Sequence, residues 1–407
     1  MKISANAKKA ITLGLLCSVS YLAVYVARNV LGAVTPKMVE GGVFTEEHIG
    51  QISSIYFMCY AFGQLINGAI GDKIKARYMI SLGLLLAGIS NMLFAILADN
   101  QFLASLTYGA TGFFLAMIYG PMTKVVAENT EPLHATRCSL GYTFASFVGS
   151  PGAGLLAAFL SWKSTFVASS VALIAMAVTV FGCFLIFEKK GYVKYGQYKV
   201  EKKQGGSIKV LFKHRIVKFA LISIITGVVR TSVVFWLTTY ISQALSFPSD
   251  VAAGIYTAAT LVISFTAFAS IFIYERVMKH NMDATILLMF SMATVFFILV
   301  YLIKTPVVNI ALMVLAIMSS NGAASMLWSR YCPSLRDTGM VSGATGFLDF
   351  LSYMAAAAAN LIFANAVADI GWNNLILVWI ALMVAGVIVA LPYRSFYARW
   401  KQAKERT

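Results

Sequence analysis

Twelve long apolar runs, separated by short polar or basic stretches, constrain this chain more than any other feature of its sequence. A helix that crosses a bilayer needs about 20 mostly apolar residues. Within lipid, only helices and closed barrels satisfy their own backbone groups. The runs predict helices over 10–35, 48–71, 78–98, 102–126, 138–160 and 164–187, and then over 217–245, 250–274, 283–303, 307–330, 342–368 and 372–393. The chain is therefore expected to be all-α, a polytopic membrane protein with twelve transmembrane helices. Its make-up agrees: 59% of the 407 residues are hydrophobic and only 12% are charged, too few charges to cover a soluble surface. The 28 Phe and 19 Tyr suit lipid-facing walls and interfacial belts.

The net charge of +16 raises the question of nucleic-acid binding, which the positions of the charges answer. The largest basic cluster runs from Lys189 to Lys218, where ten Lys/Arg face only Glu188 and Glu201. If the N-terminus is inside, the outer loops carry only Lys37, Lys163 and Lys304. That asymmetry predicts an inner-membrane protein with both termini cytoplasmic and basic loops on the anionic leaflet. No soluble domain remains to bind nucleic acid. Cys17, Cys59, Cys138, Cys183 and Cys332 form no CxxC pair and no metal spacing, so no disulfide framework is expected. Tyr21 and Arg28 interrupt the first apolar run and no small-residue cleavage site follows it, which predicts a retained first helix.

The predicted organisation is a first six-helix unit over 1–187, a basic linker over 188–216 with Gly191, Gly196, Gly205 and Gly206, a second six-helix unit over 217–394 and a tail over 395–407. The tail holds Phe396, Tyr397 and Trp400 and is expected to lie along the inner interface. The two units echo one another. Arg28 stands mid-way along the first helix, 44 residues before Asp72-Lys73, and Arg230 mid-way along the seventh, 45 residues before Glu275-Arg276. Repeats of this kind build many transporters, with the substrate site between them near the midplane.

The two mid-span arginines carry the sharpest chemistry. An arginine at the bilayer centre costs roughly 2.5–3.5 kcal/mol on insertion scales and cannot escape by losing its proton. Neither the first helix nor the seventh offers an acid to its arginine. Both are expected to face a central aqueous cavity, where the guanidinium fork matches the oxygens of a phosphate or related oxyanion. Asp349 is the one acid of 16 that falls deep within a span. It can pair with an arginine, accept a proton or meet a cationic group. Lys124 and Arg330, at matching ends of the fourth and tenth helices, are read as residues of the cytoplasmic mouth. The chain has no nucleotide-binding G-x-x-x-x-G-K-[ST], zinc spacing, nucleophile elbow or paired catalytic carboxylates, so neither an enzyme nor a cofactor is expected.

Gly68-Ala-Ile-Gly71-Asp72-Lys73-Ile-Lys75-Ala-Arg77, between the second and third helices, resembles the signature G-x-x-x-D-[RK]-x-x-x-[RK] of the major facilitator superfamily. That resemblance assigns Gly68, Asp72, Lys73 and Arg77 to gating and implies two pseudo-symmetric six-helix bundles around a cavity. A closer resemblance lies in Tyr21-x-x-x-Tyr25-x-x-Arg28, Pro36, Gly41-Gly42, Tyr60-x-Phe62, Arg230-x-x-x-x-x-Trp236-x-x-x-Tyr240, Gly343-x-Thr345-Gly346 and Gly371-Trp372. These motifs are similar to those of the organophosphate:phosphate antiporters and extend over nearly the whole chain. The likeness implies phosphate binding by Arg28 and Arg230, with Tyr21, Tyr25 and Tyr60 lining the cavity. The chain departs from the glycerol-3-phosphate exchangers of that family at Asn29, Gln64 and Ser146, where they have a lysine, a lysine and a histidine. With Asp349, these three complete the expected substrate-binding set. The expected function is exchange of a small anionic substrate, an organophosphate, for phosphate by alternating access, in a monomer. A proton-coupled organic-anion symporter and a non-transporting sugar-phosphate sensor are the alternatives.

Overall fold

The structure, a computed structural model, describes residues 5–71, 74–195, 212, 214–335 and 341–392. Among these residues every regular element is helical. We number the spans α1 (Ala5–Glu40), α2 (Glu46–Gly71), α3 (Ala76–Leu97), α4 (Gln101–Val126), α5 (Pro132–Phe159) and α6 (Trp162–Lys189). The second set is α7 (Ile216–Gln243), α8 (Ser249–Val277), α9 (Met282–Leu302), α10 (Pro306–Tyr331), α11 (Ala344–Val367) and α12 (Asp369–Ala390). Among the described residues, eleven of these are long and apolar enough to cross a membrane, and α5 adds the apolar stretch Phe144–Phe159. Residues 72–73, 196–211, 213, 336–340 and 393–407 lie outside the described residues. They include the expected gating pair Asp72-Lys73, most of the basic linker and the aromatic tail.

Local chemistry sets several helix starts. The Asn100 side chain accepts hydrogen bonds from the backbone N–H groups of Phe102 and Leu103 at the start of α4. Ser161 accepts from Ser164 N ahead of α6, and Asn281 from Ala284 N ahead of α9. Each side chain satisfies donors that a first helical turn leaves unpaired. Pro132 and Pro306 occupy first-turn positions in α5 and α10, where the missing N–H costs nothing. α1 runs on through Pro36 to Glu40, beyond the end at 35 that the apolar run predicted. Near the start of α12 the chain leaves helical geometry at Gly371 (φ 72°, ψ 168°).

The first six spans meet the last six mainly along α1 with α7, α2 with α11, and α5 with α8, with α1 also touching α8. Asn360 on α11 donates to Ser53 Oγ on α2 at 2.7 Å, and Ser264 on α8 donates to the Phe147 carbonyl on α5 at 2.9 Å. Large apolar side chains such as Phe102, Phe159, Phe272 and Val307 remain exposed on the outside, as a lipid-facing wall requires.

The two faces of the helix array differ. At the far face, where α1 ends and α2 begins, Lys37 pairs with Asp250 and donates to the Leu160 carbonyl at 3.0 Å. Gln243 donates to Glu46 and accepts from Trp372 Nε1 at 3.1 Å. The Lys37–Asp250 and Gln243–Glu46 contacts tie the first six spans to the last six. At the near face, where α1 begins, the described ion pairs stay within one set of six. Arg77 pairs with Glu188 at 2.7 Å, Arg215 and Lys218 both pair with Asp283, and Arg330 pairs with Glu275. The first residues of the linker are held there too. Asn129 donates to the Lys194 carbonyl and accepts from its N–H, and Tyr195 donates to Glu188 at 2.9 Å. Burial, followed by that bond to the carboxylate, pushes the Tyr195 phenol well above its ordinary pKa.

Candidate functional site

Arg28 projects from regular α-helix in the middle of α1 and is only 8% exposed. Its Nη1 donates to the Tyr353 hydroxyl on α11 at 2.9 Å. Its Cζ lies 5.2 Å from the ring centroid of Tyr25, 5.4 Å from Phe57, 4.9 Å from Tyr60 and 4.7 Å from Tyr353. A guanidinium with little water around it thus has the negative faces of four rings, contacts worth about 0.5–2 kcal/mol each depending on desolvation. Close packing of α1 on α5 sets this arrangement behind Tyr25. A Cβ on Gly149 would stand 2.3 Å from Tyr25 Cβ and 2.8 Å from its carbonyl carbon, so no larger residue fits there without movement.

Arg230 is held differently. It lies in a π turn, Val228–Val233, that widens α7 by one residue, a distortion frequent at functional sites. Asp349 Oδ1 on α11 stands 3.9 Å from Arg230 Nη2, with the two side chains 29% and 32% exposed. That separation is an ion pair but not a hydrogen bond, and the buried Nη2 has no hydrogen-bond partner among the described residues. The Arg230 Cζ is 5.9 Å from the Trp328 ring and 5.8 Å from that of Tyr353. Trp328 also occupies a π turn, Leu327–Tyr331 in α10. α7 approaches α11 this closely because Gly227, one turn before Arg230, packs on Ser352, whose carbonyl oxygen would lie 2.6 Å from an added Cβ.

Tyr353 therefore joins the two arginines, presenting its ring to both and its hydroxyl to Arg28. With Asp349 ionised, the two guanidiniums and one carboxylate give the site one net positive charge.

The other residues expected from the sequence fall at graded distances from this centre. Tyr60 packs edge-on to Tyr353, with centroids 4.8 Å apart. Tyr21 is buried one shell further out, 4.9 Å from Tyr25 and 5.5 Å from Tyr119. Asn29 Nδ2 donates back to the Tyr25 carbonyl at 2.6 Å. Gln64 is half-buried on α2 one turn beyond Tyr60, and Ser146 is half-buried on α5. Gly68 lies in the last turn of α2, and Arg77 at the start of α3 is engaged by Glu188 and by the Tyr78 hydroxyl at 2.6 Å. Lys124 sits near the end of α4, and Arg330 faces the Tyr274 ring at 4.7 Å. The sequence reading passed over Tyr353, Phe57 and Trp328. Tyr353 follows Asp349 by four residues and so shares its helix face; Phe57 stands in the same relation to Tyr60, three residues on.

Two mid-span arginines that share one tyrosine ring thus lie within an all-α array of apolar helices. A sequence profile of the Major Facilitator Superfamily matches residues 17–360, and the chain belongs to that superfamily. It is a multi-pass membrane transporter, not an enzyme. It is 24% identical over 411 residues to a glycerol-3-phosphate transporter of Bacillus subtilis, a match covering 93% of this chain and 90% of that protein. It is 26% identical over 94 residues to the membrane sensor protein UhpC of Salmonella typhimurium, a match covering 23% of this chain and only 21% of the sensor. Among solved structures, a bacterial homologue of the human lysosomal transporter Spinster, inward-facing and unoccupied, superposes with a TM-score of 0.76 at 12% identity, covering 94% of this chain and 96% of that one. The likeness to organophosphate carriers stated from the motifs thus extends through the full-length relative.

Proposed function

We propose that this protein exchanges a small organophosphate or related organic anion for inorganic phosphate by alternating access, with the anion bound between Arg28 and Arg230. The observation that carries the reading is the sharing of one ring, that of Tyr353, by two mid-span arginines, one of which keeps an unpaired buried donor. An oxyanion placed there takes charge-assisted hydrogen bonds from both. On this reading residues 1–187 and 217–394 are two bundles that rock about the site, and the distribution of lysine and arginine makes the near face cytoplasmic. The far-face bonds from Lys37 and Gln243 then hold the carrier open to the cytoplasm. The full-length match to a glycerol-3-phosphate transporter supports the substrate class.

The test is uptake of labelled phosphate into proteoliposomes preloaded with phosphate, comparing wild type with Arg28→Lys and Arg230→Lys. Lysine keeps the charge and loses the bidentate fork. Rapid exchange is expected in wild type, with a fall of about 100-fold or more in each variant. A folded wild-type protein that exchanges no phosphate would sink the proposal.

Asp349 beside Arg230 favours one second reading, proton-coupled symport of an organic anion. There, uptake would require a pH gradient and lose that requirement in Asp349→Asn. High-affinity binding with negligible flux would instead indicate a sensor.

A further inference from the structure

The residues around Arg230 say more about the substrate than its phosphate group does. We infer that the substrate is zwitterionic, an organophosphate with an ammonium group a short linker away from the phosphate, and that Asp349 receives the ammonium. The inference rests on the phosphate site proposed above and deepens it.

Three observations lead there. Asp349 and Arg230 stand side by side with both side chains partly exposed, 3.9 Å apart and not hydrogen-bonded to each other. The carboxylate therefore does not use up the donors of Arg230, and the guanidinium does not use up the acceptors of Asp349. The second observation is charge. Both guanidiniums act on Asp349, and with its carboxylate ionised the site carries one net positive charge. A phosphate monoester dianion alone would overshoot that by one unit in a poorly hydrated cavity, whereas a dianion with an ammonium group matches it. The third is the wall itself. The faces of Tyr353 and Trp328 flank Arg230 next to the carboxylate, and an acid beside aromatic faces is the ordinary receptor for an organic cation. A proton on Asp349 would balance the charge equally well but would make no use of the rings. The linker must be short, because oxyanion and ammonium would bind to neighbouring groups.

The probes are O-phosphoethanolamine and propyl phosphate, which have the same length and differ by an ammonium in place of a methyl group. Binding to purified full-length protein is followed by tryptophan fluorescence and, independently, by thermal shift. Wild type is expected to bind O-phosphoethanolamine about tenfold more tightly, the scale of one charge-assisted hydrogen bond. Asp349→Asn should abolish that preference, and Asp349→Glu should restore part of it. The comparison between probes in wild type stands even if a variant fails to fold. Equal binding of the two probes by wild type, with inorganic phosphate still bound, overturns the inference and leaves the phosphate site intact. A preference that survives in Asp349→Asn also overturns it. So does tighter binding of propyl phosphate at low pH that disappears in Asp349→Asn, since the carboxylate would then be handling a proton. No binding of inorganic phosphate or of either ester overturns the phosphate site and the inference together.

Discussion

Arg28 and Arg230 stand at matching depths of α1 and α7, yet their surroundings are opposite in kind. Arg28 leaves a regular helix, is 8% exposed, and is closed in by four rings and a hydrogen bond from its Nη1 to Tyr353. Arg230 leaves a π turn, keeps an unpaired buried donor and faces a carboxylate that it does not hydrogen-bond. The chain thus holds one fixed guanidinium and one unsaturated one. On the proposed reading, Arg28 is the anchor of the site, while Arg230 changes partners between Asp349 and substrate. Tyr353, which touches both, couples them.

The largest test of that contrast is Tyr353→Ala, which takes a ring from both arginines and a hydrogen-bond partner from Arg28. Phosphate binding in a calorimetric titration should weaken about 100-fold. Tyr353→Phe keeps the ring and removes the hydroxyl, so about tenfold is expected. Unchanged binding in Tyr353→Phe would show that Arg28 does not depend on this bond and would dissolve the anchor-and-partner distinction.

A packing change tests the same contrast from behind Arg28. Gly149→Ala forces a methyl group into the Tyr25 backbone and should destabilise the protein by about 1–3 kcal/mol, read as a lower melting temperature in detergent. Because Tyr25 belongs to the Arg28 enclosure, phosphate affinity should fall with stability. Lost stability at unchanged affinity would place Tyr25 outside the anchor.

At the far face, Lys37→Met removes the pair to Asp250 and the bond to the Leu160 carbonyl. Asp250 is largely exposed, so the ion pair itself contributes little, and a shift of about fivefold in the open population is the scale expected. Hydrogen exchange should quicken at the end of α1 and the start of α8 and leave α3 and α9 unchanged. An exchange pattern like that of wild type would remove Lys37 from the set of bonds that close this face.

The fold was legible because lipid leaves the chain few choices: a run of about 20 apolar residues is a spanning helix or an error. Arg28, Arg230 and Asp349 were legible for the converse reason, that a charge in a span is too costly to be idle. Tyr353 was not. In a chain with 13% aromatic residues, one more tyrosine on an apolar helix carries no mark of its own, and only its four-residue spacing from Asp349 hints at a shared face. The π turns under Arg230 and Trp328 leave no trace in composition or periodicity. The ties at the far face join residues as distant as Lys37 and Asp250, and nothing local in either segment announces its partner.

The smallest effect is also the most specific to the comparison. Phe57→Leu keeps an apolar side chain on α2 and removes one of the four ring faces around Arg28. Among these rings Phe57 has no hydroxyl, so the substitution changes the cation–π contact without disturbing a hydrogen bond. One such contact is worth about 0.5–1 kcal/mol when partly solvated, or about threefold in phosphate affinity. Trp328→Leu makes the corresponding change beside Arg230. There the guanidinium is about one-third exposed and has other ways to be solvated, so a smaller loss is expected from the same substitution. Titrating both variants against phosphate ranks the two environments directly. A greater loss in Trp328→Leu would reverse the ranking and make Arg230, not Arg28, the arginine that depends on its enclosure.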